Sequence, residues 1–172
     1  KTWSSSEELW HDAVIKNPNS GRVQLNYGLS LMQKADYEGT LPYFRKALEL
    51  NPYWAYVHIN MGILREAMGF HEEAEQYFKN AIRYQSFVPD GYYFYARWLQ
   101  GKNRVDEAIV QLQKGHEMSP GHTNITELLN SLLAQKGETP EDKINKLKKD
   151  KCKYKSMQSK RMYFSNSSDK NK

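Results

Sequence analysis

Asparagine–proline and serine–proline steps recur along this chain on a beat of 34 residues, at Asn17-Pro18, Asn51-Pro52 and Ser119-Pro120. Ser86 occupies the skipped beat, with Pro89 just behind it. A constant period between about 20 and 50 residues marks a chain built from stacked copies of one supersecondary unit. No such unit buries its apolar face alone, so the core has to be a continuous seam between neighbours. The beat constrains the architecture, and it points to a binding surface rather than to a reaction.

The positions between the prolines repeat as well. Gly28, Thr40, Phe44, Ala47 and Pro52 in residues 21–54 are answered at the same offsets by Gly62, Ala74, Phe78 and Ala81 in residues 55–88. Residues 89–122 carry Ala96, Ala108, Leu112, Gly115 and Pro120 there. A small residue in mid-helix lets a neighbouring helix approach, and a bulky one further on fills the space between helices. This pattern resembles the tetratricopeptide repeat family. The resemblance implies an all-α fold, a right-handed α-α superhelix of three full repeats. Upstream, Trp10, Ala13 and Pro18 look like the second helix of a partial repeat. Thr40, Leu112, Gly115 and Ser86 depart from the usual residues, and the first helices lack the usual bulky start, with Gln24, His58 and Tyr92 there.

The expected organisation is a partial repeat over 1–20, full repeats over 21–54, 55–88 and 89–122, a capping helix over 123–137 and a basic, partly disordered tail over 138–172. Ser4–Ser6 with Glu7 and Glu8 reads as the start of the first helix, serine capping and carboxylates in the first turn. Helix pairs are expected at 21–33 with 37–50, 55–68 with 71–84, and 89–101 with 105–117. Their short turns make the partners antiparallel. Thr123 or Asn124 is the expected cap of the last helix, which ends near Gly137 and Pro140. Its Leu128, Leu129, Leu132 and Leu133 form one apolar face. Beyond Pro140 a weakly anchored helix over 141–155 would rest on Ile144 and Leu147, and Ser165–Lys172 is polar enough to stay disordered.

The net charge of +5 conceals two different segments. Residues 1–140 carry 14 basic and 16 acidic side chains, and residues 141–172 carry 11 and 4. The tail is expected to stay solvated or to be drawn to an anionic membrane surface. It lacks a recognised nucleic-acid module, so nucleic acid is not an expected partner. Cys152 is the single cysteine and has no internal disulfide partner. No signal peptide and no apolar run of about 18 residues is present. The chain starts inside half a repeat, so it reads as a piece of something longer, and its uncapped end invites self-association.

An enzyme reading finds little to stand on. No two of His11, His58, His71, His116 and His122 are three or four residues apart, and no phosphate-cradling glycine loop occurs. The pairs Glu7-Glu8 and Glu72-Glu73 open helices, where the dipole favours carboxylates. Neither catalytic residues nor a metal or cofactor is expected. By resemblance the first helices line a groove, which here would carry Arg22, Asn26, Leu29 and Gln33, then Tyr56, Asn60, Ile63 and Glu66-Ala67, then Asp90, Tyr93, Phe94 and Arg97. Asn26-Tyr27-Gly28 and Asn60-Met61-Gly62 resemble the asparagine ladder of O-linked N-acetylglucosamine transferase repeats, whose amides hold the backbone of an extended peptide. An amide offers both a donor and an acceptor, which suits a peptide bond. The alternative is that both asparagines merely solvate the groove or bond a neighbouring helix. Phe94 ends the ladder after two rungs. The lysines and asparagines with which chaperone-binding domains clamp a C-terminal carboxylate are absent, only Arg97 being able to serve.

Trp3, Leu9, Trp10, Pro18, Arg22, Asn26 and Gly28 carry a narrower resemblance, to polytopic membrane proteins of the transmembrane-and-tetratricopeptide class. It implies a setting on the extracytoplasmic side of a membrane, beside a glycosyltransferase whose acceptor the repeats would recruit. Without that parent the expected setting is cytoplasmic. In both settings the expected partner is a protein or peptide.

Overall fold

The computed structural model describes residues 5–137. Among these lie eight helices and no strand: α1 (Ser6–Lys16), α2 (Gly21–Met32), α3 (Tyr37–Leu50), α4 (Ala55–Ala67), α5 (His71–Tyr84), α6 (Pro89–Gly101), α7 (Val105–Met118) and α8 (Thr123–Gln135). The chain divides into two compact units, Lys1–Thr126 and Glu127–Lys172. Trp3, the basic tail with Cys152 and the helix expected over 141–155 fall outside the described residues.

Within the first unit the all-α hairpins form where the spacing places them, α2 with α3, α4 with α5 and α6 with α7. Each closes through the same turn. Ala35, Gly69 and Asn103, each 34 residues from the next, take the left-handed conformation with φ of 59°, 84° and 60°. Behind them the N–H groups of Asp36, Phe70 and Arg104 donate to the carbonyls of Leu31, Arg65 and Leu99 at 3.2, 2.8 and 2.9 Å. This is the bond pattern that satisfies orphan carbonyls where a helix ends on a left-handed residue.

The turns between repeats are equally regular. Ser20, Trp54, Val88 and His122 donate their N–H to the carbonyls of Asn17, Asn51, Gln85 and Ser119. Ser20 caps α2 by accepting from Val23 N–H at 3.4 Å. Trp54 has no such side chain, and Val57 N–H, in the register of Val23, donates to the Trp54 carbonyl at 3.1 Å, while Ala55 N–H at the head of α4 donates to Gln85 Oε1 at 2.8 Å. Thr123 and Asn124 turn out to lie inside α8. Its cap is His122, whose Nδ1 accepts from Ile125 N–H at 3.4 Å, because the Ser119 turn brings His122 to the position Ser20 holds in the first repeat.

Two apolar clusters run along the seam between the repeats. Leu25, Leu41, Phe44, Ala47, Val57, Met61 and Leu64 join α2, α3 and α4, and Ala55, Ile59 and Ala81, with Ile63, Val88 and Phe94 against them, join α4, α5 and α6. A Cβ at Gly28 would sit 2.6 Å from the Phe44 ring, and one at Gly62 would sit 2.9 Å from Phe78, so the repeated glycine–phenylalanine pairing is a close helix approach. Thr40, the departure from alanine, is fully buried and donates to Asp36 and Gly28 carbonyls at 2.6 and 3.2 Å. Gln24 and His58 are buried too, each reaching the carbonyl of the proline six residues earlier, Pro18 at 2.6 Å and Pro52 at 2.7 Å. Trp10, expected to fill the large second-helix position, is only half-buried, and α1 buries no residue fully, since no helix precedes it among the described residues. In the second unit Leu129, Leu132 and Leu133 are buried and Leu128 is half-buried.

Candidate functional site

The first helices of the three repeats each present one row of side chains that the core leaves accessible. On α2 the row is Arg22, Asn26, Leu29 and Gln33, spaced i, i+4, i+7 and i+11, which is one helix face. On α4 the same offsets give Tyr56, Asn60 and Ile63, and on α6 Asp90, Phe94 and Arg97. Leu29, Ile63 and Phe94 are half-buried against the apolar clusters, while Arg22, Gln33, Tyr56 and Arg97 are exposed.

The rows of α4 and α6 are joined across the repeat boundary. Tyr56 Oη donates to Asp90 Oδ2 at 2.7 Å, and His122 Nε2 lies 3.3 Å from Asp90 Oδ1. The bond to Asp90, aided by partial burial, pushes the Tyr56 phenol up from its ordinary pKa. Tyr93 and Phe94 pack edge to face at 5.3 Å, and the Arg97 guanidinium lies 5.9 Å from the Tyr93 ring with Nη1 donating to Tyr93 Oη at 3.2 Å. Tyr95, by contrast, is core, and its hydroxyl donates to Glu75 at 2.9 Å. The two asparagines differ. Asn60 Nδ2 donates to the Tyr56 carbonyl of its own helix at 2.7 Å, and its Oδ1 has no hydrogen bond among the described residues. Asn26 has no side-chain hydrogen bond among the described residues.

Chemically the face offers amides, phenols, aromatic surface and two guanidiniums, Arg22 and Arg97, that have no carboxylate partner among the described residues. Among those residues no group of three or more His, Cys, Asp or Glu side chains could hold a metal. No helix there is long and apolar enough to cross a membrane.

Residues 21–53 match the tetratricopeptide repeat family. The fold resembles the solved structure of a thermophilic tetratricopeptide protein of Thermus thermophilus, with a TM-score of 0.68 at 22% identity, covering 74% of this chain and 71% of that one. The fold is that of a tetratricopeptide-type helical solenoid. In sequence the chain is 25% identical over 126 residues to the TPR repeat-containing protein YpiA of Bacillus subtilis, a match over 73% of this chain and 29% of YpiA. It is 28% identical over 79 residues to a protein O-mannosyl-transferase of Caenorhabditis elegans, a match over 46% of this chain and 11% of that protein. The chain thus spans less than a third of the length of these relatives.

Beside the face, the joint between the second and third repeats holds residues that sequence reasoning missed. Glu66, expected to line the groove, accepts from Trp98 Nε1 at 2.8 Å and from His71 Nδ1 at 2.8 Å, and pairs with Lys102 Nζ at 2.7 Å. Partial burial opposes its ionisation, but the bonds from Lys102, Trp98 and His71 outweigh that and hold the carboxyl at about 2. The signal was available in the register: Glu66 occupies the slot of Met32 in the preceding repeat.

Proposed function

We propose that this chain is a non-catalytic scaffold that holds an extended segment of a partner protein against the face of α2, α4 and α6. The observation that carries the reading is the free hydrogen-bonding capacity on that face. Asn26 is unbonded among the described residues, Asn60 has no hydrogen bond at its acceptor there, and the two amides stand on successive repeats at the same offset. An extended peptide carries unpaired N–H and C=O groups that such amides match without reading its side chains. Leu29, Ile63 and Phe94 add accessible apolar surface, and Tyr93 with Arg97 supplies the residue types that commonly anchor an interface. The likeness to other tetratricopeptide proteins supports a scaffold role in general terms.

The test is display selection of random 12-residue peptides on the full 172-residue chain, followed by affinity measurement on the enriched sequences. Replacing Asn26→Ala and Asn60→Ala together is expected to weaken binding by about 1–3 kcal/mol while helicity stays intact. Unchanged affinity would overturn the ladder.

A second reading is favoured by the match to the Caenorhabditis elegans protein O-mannosyl-transferase. In it the repeats recruit the acceptor protein of a polytopic membrane glycosyltransferase from the extracytoplasmic side. Several long apolar spans encoded upstream of Lys1 would support that setting; further 34-residue repeats there would retire it.

A further inference from the structure

A cavity of about 650 Å3 opens at the turn between the first and second repeats, where α2 starts and α3 gives way to α4. Asn19, Arg22, Asn51, Tyr53, Trp54 and Gln85 are among the residues lining it. Arg22 is the one charged side chain in the lining. Its guanidinium is exposed and has neither an ion pair nor a hydrogen bond among the described residues. The arginines of the interior are otherwise occupied, Arg65 beside Glu73 and Arg104 with Glu75 and Glu107. The amides of Asn19 and Asn51 and the Tyr53 hydroxyl add neutral donors, and half-buried Trp54 supplies an apolar wall. Gln85 spends its Oε1 on Ala55 N–H and retains its donor end.

We infer that this cavity receives an acidic side chain of the bound segment. The inference rests on the groove reading above and gives it a chemical preference. A lining with an unpaired guanidinium, several neutral donors and no carboxylate complements an anion and repels a cation. Arginine also meets a carboxylate through two parallel bonds, which fixes orientation as well as charge. Arg22 stands one helical turn ahead of Asn26 on the same face of α2. A peptide backbone held by the asparagine rungs therefore passes the mouth of the cavity, so a side-chain carboxylate, rather than a chain end, is what enters.

The test uses random 12-residue peptides with their C-termini blocked by the display linker, selected on the full chain. Asp or Glu is expected at one fixed position of the enriched sequences. Changing that acid to its amide in a synthetic, C-terminally amidated peptide should weaken binding to the unmodified chain about tenfold, a charge-assisted bond in a partly open site. On the Arg22→Gln chain, whose helicity should be unchanged because Arg22 is exposed, the same change should have little effect. Enrichment without an acid, or an acid whose contribution survives Arg22→Gln, overturns the inference. If such peptides still lose affinity on Asn26→Ala with Asn60→Ala, the groove reading stands and only the cavity assignment falls. If coupling to Arg22 holds while the asparagines do not matter, the cavity stands and the groove reading falls. Failure to enrich any peptide over a blank matrix overturns both.

Discussion

Ala35 sits at φ 59°, in a register where the neighbouring repeats put Gly69 and Asn103. The left-handed region brings Cβ close to the following carbonyl, a cost of about 1–2 kcal/mol that glycine escapes and asparagine softens. Ala35→Gly removes that strain but adds unfolded-state entropy, so a net gain of about 0.5–1 kcal/mol is expected. Urea denaturation of the two chains checks it, and a loss of stability would show that the turn relaxes at no cost. No local sequence signal announces this strain. Lys34-Ala35-Asp36 reads as an ordinary turn, and only alignment with Gly69 exposes the alanine. His58 is a similar case. Its ring reaches the Pro52 carbonyl and packs near Tyr77 and Tyr84, and burial lowers its pKa below the ordinary imidazole value. Its place at the opening of the first helix was legible, whereas the carbonyl it serves comes from the turn before it.

The element scale shows how one repeat geometry supports two kinds of joint. Between the first and second repeats, Met32, Leu64 and Met68 occupy three slots of the seam and pack with the apolar cluster. At the same offsets in the next joint stand Glu66, Trp98 and Lys102, tied by a hydrogen bond and an ion pair. A second substitution of this kind replaces Leu41 and Met61 with Glu75 and Tyr95. Arg104 completes that group by pairing with Glu75 at 3.0 Å while lying 5.8 Å from the Trp98 ring. Glu66→Gln is expected to cost about 1–2 kcal/mol, a modest figure because the carboxylate is partly exposed to screening solvent. The pH dependence gives the sharper check. Because its folded pKa is depressed, the stability Glu66 contributes is fully present above about 4.5 and is lost as pH falls through about 2. The stability difference between the two chains should therefore shrink across that window in denaturation experiments. A difference independent of pH would show that the charge is not what holds the joint.

At the scale of the whole molecule, the 34-residue period located the helices and the pairs they form, and a small residue set against a bulky one marks where two helices approach. Gly28 against Phe44 and Gly62 against Phe78 are that rule in atoms. The candidate face was legible as a set of positions, since the row spacing follows from helix geometry. Its chemistry was less so. Whether Asn60 faces outward or folds onto its own backbone, and whether Asp90 is free or held by Tyr56 and His122, depends on contacts between residues 4 to 34 positions apart. The sequence put Arg22 on the face, but its place in the lining of a cavity follows only from the structure.

The most direct test of the account is to titrate the isotope-labelled full chain with a selected 12-residue peptide and follow the backbone amide shifts. Binding in the proposed mode predicts the largest changes on α2, α4 and α6, around Asn26, Asn60 and Phe94. Changes confined to α3, α5 and α7, or to residues outside the repeats, would contradict it.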